Sequence, residues 1–161
     1  MGTNALLKRI DANGEGRGRS LRVGLSGLFA CAWAVSLFVP VVRDTHVAGF
    51  RGYVALLAGW LAIFSFQFGW FANPVLGFAL VRLVGGRPGA RLDMVVALAL
   101  LLLAFDACFW SRMYGDGRPI AFDQFGPGYV LWLFATCGAG ITLLISAAMR
   151  WRSERDLGLE M

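Results

Sequence analysis

Three strongly polar side chains sit in stretches otherwise free of charge, where a polar group is costly and therefore informative. Asp106 lies within the apolar run of residues 94–111, and Gln67 and Asn73 lie within the charge-free stretch from Tyr53 to Val81. An aspartate at the centre of a membrane helix costs on the order of 2.5 to 3.5 kcal/mol on the insertion scale. Two chemistries suit it: a proton or cation site, or pairing with Arg43, Arg51, Arg112 or Gln67. Pairing is the expectation, because Asp106 is near the end of its run, about 6 Å of helix from Trp110. Gln67 and Asn73 would face directions about 120° apart on one helix, which suits structural hydrogen bonding between helices better than a shared ligand.

Outside the apolar runs, Asp44, His46, Asp116 and Asp123 are the candidates on one surface. His46 is the sole histidine, so a transition-metal site would be short of nitrogen and sulfur donors, and no metal is expected. Asp116 and Asp123 lack the spacing of a calcium-binding helix-loop-helix. Cys31, Cys108 and Cys137 are odd in number and fall inside apolar runs, where they read as small packing residues rather than a disulfide framework. No CxxC, HExxH, GxSxG or glycine-rich phosphate loop occurs, so neither a cofactor nor an enzymatic activity is expected.

The elements that hold these residues follow from hydropathy. The chain has 161 residues, 58% hydrophobic and 16% charged, with a mean hydropathy of +0.64, which excludes an ordinary water-soluble domain. Four apolar segments, about 22–42, 53–84, 93–111 and 129–149, are long enough to cross roughly 30 Å of hydrocarbon as helices. The expected fold is an all-α integral membrane protein, a four-helix bundle spanning residues 21–149. The second segment is longer than a perpendicular crossing needs, so a kink or break is expected at Asn73-Pro74, where proline lacks an amide hydrogen and Asn-Pro suits a helix start. The first segment begins after basic residues and contains Ala32-Trp33-Ala34, but it runs on too far for a cleaved signal peptide and reads as a retained helix.

Charge fixes the expected orientation, since short cytoplasmic flanks collect Lys and Arg. With four crossings and the amino end inside, eleven basic residues fall on the cytoplasmic side and four, Arg43, Arg51, Arg112 and Arg118, fall outside. If the second segment dipped in and returned, the sides would carry seven and eight. Both ends are therefore expected in the cytoplasm, with residues 1–20 a flexible tail and 150–161 a second polar tail. The formal charge of +5 is explained by anionic lipid headgroups, because no basic stripe is interleaved with stacking aromatics and no nucleic acid is expected. An excess of arginine over lysine, with abundant Ala, Gly and Leu, fits a GC-rich bacterium and its inner membrane.

Phe50, Tyr53, Trp110, Tyr114, Phe122, Phe125, Tyr129 and Trp132 gather at the outer ends of the segments, as in an interfacial aromatic belt. In the fourth segment Ala135, Gly138, Ala139 and Thr142 form a small-residue face suited to close helix approach, within the bundle or to a second copy. The runs GYVALLAGW (52–60) and WFANPVLGFAL (70–80) resemble small bacterial four-helix inner-membrane proteins without an assigned role, which implies topology and no site. The expected function is non-enzymatic binding, as an accessory subunit, regulator or immunity-type protein with the bilayer and a membrane-protein partner or a second copy. The alternative is a small oligomeric transporter or channel unit using Asp106 and the Asn73-Pro74 break.

Overall fold

A computed structural model describes residues 3–42, 51–86, 89–110, 112–115, 118–121 and 125–156. It is helical apart from one short hairpin. The helices are α1 (Thr3–Ser36), α2 (Gly52–Ala58), α3 (Ala72–Gly85), α4 (Ala90–Ala107) and α5 (Pro127–Asp156), with 3₁₀ segments at Gly59–Ser65 and Gly69–Phe71. Between α4 and α5, β1 (Arg112–Gly115) pairs antiparallel with β2 (Arg118–Ala121), Arg112 opposite Ala121 and Gly115 opposite Arg118. Helices α1, α3, α4 and α5 pack side by side, and α5 touches each of the other three.

The interior is made of small residues and the exterior of large ones. Of the seventeen buried hydrophobic residues among those described, nine are alanines, including Ala72, Ala79, Ala97, Ala135 and Ala139. Small side chains let helix backbones approach closely, and Gly138 is a case where nothing larger fits: a Cβ there would overlap the ring of buried Phe29 on α1. The outward faces carry Leu92, Val95, Leu98, Leu102 and Phe105 along α4, with exposed Phe109 just past its end, and Val130, Phe134, Ile141, Ile145 and Met149 along α5. Steps of three, four or seven keep each helical set on one face, and the two stripes extend about 20 and 28 Å.

One helix segment among the described residues, Pro127–Ser153, is long and apolar enough to cross a membrane by length and composition. The segments Gly52–Leu61 and Gly69–Gly85 are apolar but shorter. Helix α4 has 18 residues and carries Arg91, Asp93 and Asp106.

The expected second segment is broken, but not at Asn73-Pro74. The reversal is at residues 66–68, where Phe66 adopts a positive φ of 58°, and Asn73 and Pro74 lie inside the first turn of α3. Proline is tolerated there because the first-turn amides have no intrahelical partner. The upstream piece stays at the hairpin end of the bundle. Tyr53 donates its amide to the Leu37 carbonyl just past α1, and the 59–65 segment packs beside β1. An apolar run alone does not distinguish a crossing helix from one lying across the end of a bundle.

Two tail expectations also differ. Helix α1 already begins at Thr3 and carries through the glycine- and charge-rich residues 11–20, because adding turns to an established helix is far cheaper than nucleating one. Helix α5 likewise continues to Asp156. At its other end α5 is pinned by Gly126 and Gly128, whose amides donate to the Val41 and Pro40 carbonyls. A Cβ on either glycine would strike the backbone of residues 39–41, which explains the Gly-Pro-Gly sequence.

Candidate functional site

At the hairpin end, α1, α2, α3 and α5 surround a pocket that opens to solvent. Ser36, Trp70, Asn73, Trp110, Tyr129 and Trp132 are its polar lining residues, and no charged residue lines it among the described residues. Asn73 organises the walls. Its Oδ1 accepts from Trp33 Nε1 at 3.0 Å and Trp132 Nε1 at 2.9 Å, and its Nδ2 donates to the Trp70 carbonyl at 2.9 Å. One amide thus joins α1, α3 and α5 through two indoles. Trp70 in turn donates Nε1 to the Leu56 carbonyl at 2.9 Å, tying α2 to the start of α3. Tyr129 donates its hydroxyl to the Ala107 carbonyl at 2.8 Å and stacks between Phe125 and Trp132, with ring centroids 4.0 and 5.9 Å away.

Asp106 acts on the same end. Its carboxylate accepts from the backbone amides of Phe68 and Gly69, both at 2.8 Å, and so caps the 3₁₀ segment that leads into α3. The sequence pointed to arginine or Gln67 as its partner; two main-chain amides occupy one carboxylate oxygen instead. A reversed chain has exposed N–H groups at its new start, and a carboxylate satisfies them more strongly than a neutral acceptor. Gln67 is half-exposed in the break itself, and Gln67, Asn73 and Asp106 do not converge on one point. Asp44, His46, Asp116 and Asp123 lie outside the described residues, and no metal-binding cluster occurs among those described.

A second polar centre lies at the opposite end and was missed in the sequence. Asp93, fully buried in the first turn of α4, accepts from Arg82 Nε of α3 at 2.5 Å and is bonded to Arg150 Nη2 of α5. Arg91 stacks over Trp151 close by, 5.1 Å from the ring centroid. The triad bolts three helices together. The detectable signal of Asp93 is an acid among flanks that otherwise carry arginine.

Cys31 and Cys108 are exposed, Cys137 is half-buried, and all three are free thiols. In comparison with known proteins, no protein-family model, curated protein or solved structure matches this chain.

Proposed function

We propose that the chain is a bacterial inner-membrane protein that crosses four times, through α1, α3, α4 and α5, with both ends in the cytoplasm, and that it acts by binding without catalysis. The observation that carries the reading is the arrangement of alanine inside and large apolar side chains outside, over stripes of about 20 Å on α4 and 28 Å on α5, the longer one close to the roughly 30 Å of bilayer hydrocarbon. The charges in α4 fit it. Arg91 and Asp93 are at the end of the stripe, and Asp106 is satisfied by main-chain amides. Helix α3 with its 3₁₀ lead-in spans about 27 Å, using 1.5 Å per α-helical and 2.0 Å per 3₁₀ residue. Helix α2 and residues 59–65 then rest at the outer interface, where Tyr53 and Trp60 suit the headgroup region.

Within that frame the aromatic cleft at the hairpin end, lined among the described residues by uncharged side chains, is the binding site. The role is that of an accessory subunit, regulator or immunity-type protein whose partner or ligand engages the hairpin end. Decylbenzene, a neutral apolar probe, tests the site. Circular dichroism of the full chain in detergent is expected to show saturable thermal stabilisation by the probe, lost in Ala55→Trp, which fills the pocket from α2. Absence of stabilisation, or equal stabilisation of Ala55→Trp, contradicts the assignment.

A further inference from the structure

Five of the six polar side chains lining the pocket are occupied. Ser36 Oγ donates to the Trp33 carbonyl at 2.6 Å, Tyr129 to Ala107, Trp70 to Leu56, Trp132 to Asn73, and Asn73 itself holds two indoles and the Trp70 carbonyl. The sixth is Trp110. Its Nε1 is buried and has no hydrogen-bond partner among the described residues, whereas Trp33, Trp70 and Trp132 all have acceptors. A buried donor without an acceptor is disfavoured. Trp110 lies past the end of α4, so its side chain is free of a helical turn on its carboxyl side.

The geometry points to a ligand class: a neutral apolar molecule bearing one carbonyl oxygen, which accepts the Trp110 indole N–H while its tail or ring lies against the aromatic walls. This deepens the binding role proposed above and rests on it. The lining residues described carry no charge to compensate a charged headgroup, which favours a neutral ligand. Aromatic walls favour planar rings and methylene chains alike. In this arrangement the nitrogen is closed off from solvent, so the indole turns on its side-chain bonds to meet the oxygen, and satisfying the donor favours that turn. Two membrane sources present this chemistry at the depth of the pocket: the ester of an acyl lipid and the ring of an isoprenoid quinone.

Three ten-carbon probes separate the outcomes on the full chain in detergent: methyl decanoate, decylubiquinone and decylbenzene. At least one carbonyl probe is expected to bind more tightly than decylbenzene, and Trp110→Phe, which keeps a ring and removes the donor, is expected to weaken that probe about tenfold while leaving decylbenzene unchanged. The tighter carbonyl probe identifies the source. A second readout is independent of how Trp110→Phe folds: in ¹⁵N-labelled wild-type protein, the indole resonance of Trp110 is expected to move downfield with the carbonyl probe and not with decylbenzene. Equal affinity for all three probes, or an unmoved indole resonance, overturns the carbonyl assignment while leaving the pocket itself intact. Failure of all three to bind overturns the pocket reading as well.

Discussion

Asn73 is the side chain on which the hairpin end depends, because one amide oxygen serves two indole donors from different helices. Asn73→Leu leaves both donors without an acceptor at similar side-chain volume. Single interhelical hydrogen bonds in membranes average about 0.6 kcal/mol, whereas an orphaned buried donor costs about 1 to 3 kcal/mol. The expected loss is therefore about 1 to 3 kcal/mol, read from unfolding in mixed detergent micelles, and an unchanged midpoint would deny Asn73 its bridging role. That Asn73 matters was legible in the sequence, since an amide in an apolar run must find a partner. Its partners were not, because Trp33 and Trp132 lie 40 and 59 positions away and nothing local encodes which faces meet. Asp106 was legible in the same limited sense. Its cost demanded satisfaction, but the amides that supply it became available only when the chain reversed at Phe66.

Among the elements, α5 is central, and its contact with α1 depends on a glycine. Gly138→Ala would drive a methyl into the Phe29 ring, which is itself buried and cannot swing into open space. Overpacking of this kind typically costs about 1 to 3 kcal/mol. Phe29→Leu should recover most of it, so the double variant is expected to be more stable than Gly138→Ala alone. Additive losses in thermal unfolding of the two single variants and the double would show that the helices do not meet there. The small-residue face on α5 could be read from spacing because its period is local. The division of residues 53–84 could not, since proline marked a plausible helix start while the actual reversal is stored in the backbone of Phe66. For the same reason the apolar Gly52–Leu61 helix passed for part of a crossing.

At the scale of the whole molecule, the two ends differ in kind. One is an aromatic pocket whose walls Asn73 ties together; the other is an ionic clamp in which Asp93 holds Arg82 and Arg150. In the proposed topology a bilayer between them accounts for both, with arginines on the cytoplasmic side and tryptophan and tyrosine at the far interface. Composition and charge bias predict this polarity from the sequence, because both report on the solvent around the chain. The pocket and the clamp were not, because each is assembled from residues distant in sequence. Paired fusions measure the claim directly. A phosphatase active only outside the cytoplasm and a fluorescent protein that matures only inside are each attached after Gly86 and after Gly115, on either side of α4. The expected result is fluorescence without phosphatase activity at Gly86 and phosphatase activity without fluorescence at Gly115. The same reporter active at both positions would mean that α4 does not cross, and the four-crossing reading would be wrong.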